Sequence, residues 1–314
     1  FYNAKNPPFG ATFTYYLKEK LRTKKELRHK AEKDAYKADE TPAYPSIEDL
    51  RAESEERTPE VILTVRDDSG SVIRVVRGER DKGMHRAVWD LRYPGYEPIE
   101  FASGDKLPWE FPNSGPLVAP GTYSVTLSKI VDGKEIDLAG PESFEVVPLN
   151  TATFAAQDHG ALRAFRQKVG DLQRGVRGAL KASSEINERI KFAREAIMQW
   201  SDAPLAMLAE VDSLDDRMED ISTELRGDRI KGGRQEPTDP SINERVENII
   251  YDQWYVTSPP TITQQEQYDY AADAFEGALA QLNAINTDLT RLEDRLESLG
   301  APWTPGRMPR WQRE

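Results

Sequence analysis

Between positions 162 and 197 the apolar side chains recur at alternating steps of three and four. Leu162, Phe165, Val169, Leu172, Val176, Ala179, Ile186, Ile190, Ala193 and Ile197 lie on one stripe, with Ser183 holding the remaining position. A stripe sustained over about five heptads specifies a long helix that is stable only when its apolar face is covered. The same spacing returns twice. Leu205, Leu208, Val211, Leu214, Met218, Ile221 and Leu225 follow Pro204, and Tyr268, Ala272, Phe275, Leu279, Leu282, Leu289, Leu292, Leu296 and Leu299 follow a Ser258-Pro259-Pro260 break. A polar connector over 227–240 and a short helix over 241–254 separate these two stretches. Thr263 with Glu266 reads as the capping box of the last helix, and Gly300 with Pro302 as its end. Residues 151–300 are therefore expected to form an antiparallel three- or four-helix bundle, with the first and last stripes packed antiparallel.

The first half follows a period of two. Residues 11–17 read as an aromatic-rich strand, 61–65 and 71–76 as a hairpin around Asp67-Asp68-Ser69-Gly70, and 84–93 as a strand with Ala87, Trp89 and Leu91 on one face. Strands are also expected over 121–130, 135–138 and 143–147. Short strands with frequent turn signals indicate a sandwich. Residues 18–57 break this pattern. From Lys18 to Lys37 there are nine Lys or Arg against four acids, and from Asp39 to Glu56 seven acids against one Arg. This stretch is expected to be a basic helix and an acidic helix joined by a Pro-containing turn, with Ser46 and Asp49 as an N-cap. It reads as a solvated insertion whose halves offset each other's charge, or as a docking arm for an acidic partner. The fold class is thus α+β and multidomain: an all-β sandwich over 1–150 with a charged helical insertion at about 18–57, a helical bundle over 151–300, and a tail over 301–314.

Composition excludes several chemistries. The formal charge of −12 opposes nucleic-acid binding. Without cysteine there is no disulfide, thiolate metal site or cysteine nucleophile. No run of apolar residues is long enough for a membrane span. The chain opens on Phe1-Tyr2-Asn3, which reads as a processed end or a fragment boundary.

The three histidines, His29, His85 and His159, fall in different expected elements without metal-ligand spacing. Asp90, between Trp89 and Leu91, is expected to pair with Arg92 or a loop amide. Lys231-Gly232-Gly233-Arg234 lacks the phosphate-loop pattern, and no Gly-x-Ser-x-Gly elbow occurs. No catalytic residue, metal or cofactor is expected. Candidate binding residues are aromatic. Trp303 and Trp311 lie in the tail, where two indoles are expected to dock back onto the chain or to contact another one. Trp109, Phe111 and Tyr96 lie in a Pro- and Gly-rich loop and are candidates for a carbohydrate platform, or for loop anchors.

Several motifs carry a resemblance. Asn6-Pro7-Pro8-Phe9-Gly10-Ala11, Trp89-Asp90-Leu91-Arg92-Tyr93-Pro94, Ala119-Pro120-Gly121-Thr122-Tyr123 and Gly300-Ala301-Pro302-Trp303-Thr304-Pro305-Gly306-Arg307 together resemble the C-terminal region of large exported bacterial proteins with neuraminidase-like or sortilin-like β-propeller repeats. Such proteins are often labelled glycosyl hydrolases. The Trp89–Pro94 and Pro120–Tyr123 stretches also look like the Ig-like domain of flagellar hook-capping proteins. The resemblance spans nearly the whole chain, but the propeller's Ser-x-Asp-x-Gly-x-Thr-Trp boxes do not occur in it. It implies an Ig-like sandwich, export to the periplasm or cell surface, and an accessory, non-catalytic role. The implied partners are an upstream propeller of the same protein or other exported proteins. It implies alternatively an accessory or carbohydrate-binding region of a sialidase-like glycoside hydrolase.

Overall fold

The computed structural model describes residues 6–99, 113–149, 153–254 and 256–313. The chain divides into two compact units, Phe1–Pro94 with Gly115–Asn150, and Gly95–Ser114 with Thr151–Glu314.

The first unit is antiparallel β. Strands β1 (Ala11–Leu17), β2 (Glu60–Asp67), β3 (Val72–Gly78), β4 (Gly83–Trp89), β5 (Arg92–Pro94), β6 (Ser114–Leu117), β7 (Gly121–Val131) and β8 (Lys134–Val146) form a four-stranded sheet, β3-β2-β7-β8, and the ribbons β1-β4 and β5-β6. Period-two alternation sends Tyr15, Leu17 and Ala87 of the β1-β4 ribbon against Val61 and Leu63 of β2. A second cluster joins Trp89 to Val65, Ile73, Val118 and Tyr123. The indole meets the Tyr123 ring at 5.5 Å and Phe144 at 6.2 Å, both edge to face, the arrangement that ring quadrupoles favour.

Two strands differ from the sequence reading. The expected strand over 84–93 ends at Trp89. Asp90 Oδ1 accepts the Arg92 amide at 3.2 Å, Leu91 has φ +56°, and Trp89 Nε1 donates to the Arg92 carbonyl at 2.9 Å. This Asx-type turn redirects the chain into β5. Conversely, the two expected strands over 135–147 are one, β8, with its register shifted around Gly140. Gly140 has φ +97°, and a Cβ there would stand 2.7 Å from the Val125 carbonyl oxygen, so the bulge requires glycine.

Between β1 and β2 lie helices α1 (Lys24–Lys37) and α2 (Ile47–Glu55), neither of which buries a residue. Both start on full capping boxes, Thr23 with Glu26 and Ser46 with Asp49.

The second unit contains α3 (His159–Gln199), α4 (Met207–Arg226), α5 (Arg229–Gly233), α6 (Ile242–Gln253) and α7 (Ile262–Ser298). Arg194 pairs with Asp212 near one end of α4, and Arg226 at the other end donates to the Leu180 carbonyl, so α4 runs back along α3. Arg177 meets Glu247 and Arg166 meets Gln253, so α6 continues that return along the rest of α3. Phe165 faces Tyr268, and Arg189 holds Glu293. Helices α3 and α7 therefore run parallel, not antiparallel as expected from their stripes. The return path between them is made by α4 and α6 in succession, so the chain crosses the bundle's length three times.

The stripe of α3 is buried as read, with Leu172 only partly covered. That of α7 is shifted: Ala271, Phe275, Ala278, Leu282, Ile285, Leu289, Leu292 and Leu296 are buried, whereas Leu279 is 38% exposed. Helix α7 is also capped by Thr261 with Gln264 rather than by Thr263 with Glu266. Gln264 is held in place by a second bond, accepting from Gln253 Nε2 at 2.9 Å.

Trp89 is 1% exposed. Trp89→Ala is expected to destabilise the β unit by about 3–5 kcal/mol, from lost burial and the cavity left behind; a denaturant melt followed by tyrosine fluorescence reads the shift. Leu282 is 3% exposed in the α7 stripe. Leu282→Asp should cost several kcal/mol, because the carboxylate gains no partner there. Circular dichroism at the helical minimum would then show an earlier melt, and an unchanged midpoint would refute the assigned seam.

Candidate functional site

The C-terminal tail turns sharply at the end of α7. Gly300 takes φ +75°, its amide donates to Glu297 O at 3.1 Å, and Ala301 N donates to Leu296 O at 3.0 Å. These two bonds form a Schellman motif, which explains why Gly followed by Pro302 ends the helix. Trp200 Nε1 also donates to Leu299 O at 2.8 Å, tying the end of α3 to the same corner.

Beyond this turn the backbone returns along α7 and is held by arginines. The Arg307 side chain is buried, with Nη1 3.2 Å from Glu297 Oε2 and Nε donating to Thr304 Oγ1 at 3.0 Å. It also donates to the Pro302 carbonyl. Arg310 donates its backbone N–H to Glu297 Oε1 at 2.9 Å, and its guanidinium pairs with Asp294 at 3.0 Å. Gly306 passes directly over Arg189: a Cβ at this position would lie 2.6 Å from Arg189 Nε. Arg189 is itself fixed to α7 by two bonds to Glu293, at 3.0 and 2.6 Å, and by Asn286 Oδ1 at 2.7 Å. Glu293 is 2% exposed, so this fork supplies the pairing that a desolvated carboxylate requires.

The aromatic and sulfur-bearing side chains of the same segment point outward. Trp303 is 58% exposed, with Nε1 donating to Arg307 O at 2.8 Å; Met308 is 84% and Trp311 83% exposed. The tail thus docks back through Thr304, Arg307 and Arg310, while the two indoles singled out in the sequence remain at the surface. Arg307 and Arg189, which hold the segment, were not singled out in the sequence; Gly306, where a Cβ would meet Arg189, is the signal that could have marked the close approach.

Of the loop aromatics, Tyr96 alone falls within the described residues. Trp109 and Phe111 lie outside the described residues. Tyr96 is partly buried, with its ring against Gly170 of α3, where a Cβ would stand 2.4 Å from the ring carbons. The next residue, Glu97, accepts from Gln173 at 3.3 Å and pairs with Arg177 at 3.1 Å, so residues 96 and 97 anchor to the helix. Asp90 is engaged in the turn after β4. His85 lies at the sheet rim, with Nε2 2.7 Å from the Asp81 carbonyl. Among the described residues, no three His, Asp or Glu side chains converge on a point that could hold a metal ion, and no helix is long and apolar enough to cross a membrane. No known protein family, curated protein or solved structure matches the chain.

Arg307→Ala removes the buried anchor of the tail. The Arg310 amide and the Trp303 indole N–H are then expected to lose protection in hydrogen exchange while the α7 seam keeps its own. Unchanged exchange at both positions would show that the tail is held by other contacts.

Proposed function

We propose that this chain is a non-catalytic structural and protein-interaction module of a larger exported bacterial protein that also carries a β-propeller. In this reading its β unit is an Ig-like sandwich built around Trp89, its bundle is a stiff arm, and its place of work is the periplasm or cell surface. Partners are the upstream propeller of the same protein or other exported proteins. The observation that carries the proposal is the tail. Its backbone is pinned by Arg307 and Arg310, yet Trp303, Met308 and Trp311 stand in solvent. Large side chains exposed on a pinned segment lose little entropy on docking, and Trp is enriched among the residues that dominate binding energy at protein interfaces.

The test is capture of exported proteins on the immobilised chain, alongside a glycan array and a panel of glycosides. The expected result is a defined protein partner whose binding weakens about 100-fold or more in the Trp303→Ser, Trp311→Ser double variant, in line with the loss of two interface anchors. Glycan binding or glycoside hydrolysis by the chain would replace this reading with that of an accessory region of a sialidase-like glycoside hydrolase.

A further inference from the structure

A second surface with a definite chemical preference lies on α1. This 14-residue helix turns Arg28, Glu32 and Ala35 toward its support, where all three are partly buried. Arg28 holds Glu53 of α2 through two bonds, at 2.6 and 2.9 Å, and Glu32 at 2.6 Å. The solvent side carries Lys25, His29, Lys33 and Lys37 at four-residue intervals, with Lys30 and Tyr36 beside them, all exposed. A shallow groove runs between His29, Lys33, Tyr36 and Lys37, with Glu32, held by Arg28, on its inner side.

The acids of α1 are engaged elsewhere. Glu26 accepts from the Thr23 amide at 3.0 Å and from both terminal nitrogens of Arg80, at 3.0 and 3.2 Å, with Lys20 at 3.5 Å. The Thr23 amide first, and then Arg80, lower its carboxyl to about 2, so it is ionised and satisfied at neutral pH. Glu32 is taken by Arg28, and Asp34 reaches only Lys37, at 3.7 Å. Among the described residues, Lys25, His29, Lys30 and Lys33 form no ion pair. A chain of net charge −12 thus keeps Lys25, Lys30 and Lys33, among the described residues, outside any ion pair on a helix braced at its start by a capping box and along its inner side by Arg28.

We propose that this arc docks an acidic α-helical segment of a partner protein, with carboxylates at four-residue intervals. Charge complementarity chooses the sign, and spacing chooses the form. Four residues of helix rise about 6 Å and turn the row about 40° round the axis, so a helix crossing α1 obliquely, with acids at the same interval, meets the row from Lys25 to Lys33, over about 12 Å. Tyr36 offers a ring to the aliphatic part of a partner's side chain. The row also ends at Asp39 and Glu40 and is flanked by the acids of α2. A nucleic acid, with one charge per about 1.7 Å of duplex, would run on into that negative surface, whereas a short acidic helix stops where the cations stop. Exposed pairs contribute little each, so the contact is weak, salt-sensitive and dependent on several lysines together.

The test uses the full chain and a fluorescein-labelled helical peptide of about twenty residues with Glu at every fourth position in an Ala and Gln background. Anisotropy is expected to show binding that weakens about tenfold between about 50 and 300 mM salt. The K25Q/K30Q/K33Q variant, whose helix content is checked by circular dichroism, should lose most of that binding, and Lys134→Gln on the β7–β8 hairpin should not. A peptide of the same composition with its carboxylates spread round the helix should bind more weakly. Equal binding by the triple variant, or by the spread peptide, overturns the proposal. So does tighter binding of duplex DNA or phosphatidylserine vesicles through the same three lysines.

Discussion

Burial of the α7 stripe is the constraint on which the helical unit rests. Its positions alternate by four and three from Ala271 to Leu296, and each is shared with α3, α4 or α6. Fully burying one Leu or Ile contributes about 1.5–3 kcal/mol at most, so the row as a whole outweighs any polar contact on its rim. The exposed ion pairs, Arg217 with Asp288 and Arg295 with Glu210, add about 0–1 kcal/mol each. The buried Arg189–Glu293 fork acts differently. A slip of α3 against α7 by one turn would leave Glu293 desolvated and unpaired, so the fork fixes the stagger that the apolar row alone would tolerate at other settings.

In the β unit, Trp89 has a comparable position. Its ring lies in the cluster between the β1-β4 ribbon and the four-stranded sheet, and its indole N–H holds the Arg92 carbonyl at the corner where β4 ends. One side chain thus joins packing to topology. The same indole that fills the core fixes the corner from which the chain turns away into β5.

The tail and α1 share one arrangement. In both, buried or half-buried arginines hold the backbone to a rigid support, and the residues proposed to bind a partner stand exposed. Arg307 anchors a segment that displays Trp303 and Trp311; Arg28 anchors a helix that displays Lys25, His29 and Lys33. Pre-organising an exposed contact in this way lowers the entropy lost on association. The two surfaces differ in chemistry, one apolar and one cationic, and under the two proposals they take different partners.

Local chemistry alone determined a good deal of this protein. The α3 stripe, the Ser46–Asp49 cap, the Asp67 turn, the Gly300 stop and the burial of Trp89 all follow from spacings of a few residues, because helix caps, turns and period-two alternation are set within such distances. The α7 stripe was less legible. Leu279 is the more apolar choice, but closely approaching helices have room for Ala278 and leave Leu279 at the edge. Thr261 and Thr263 both head a capping pattern, and the contact from Gln253 on another helix favours the first. The parallel course of α3 and α7, Tyr96 against Gly170, and the outward turn of two indoles above a buried Arg307 depend on residues tens of positions apart. Periodicity states that a face must be buried. Only the tertiary structure decides against what, because that choice depends on the shapes and charges of segments that meet after the chain has folded.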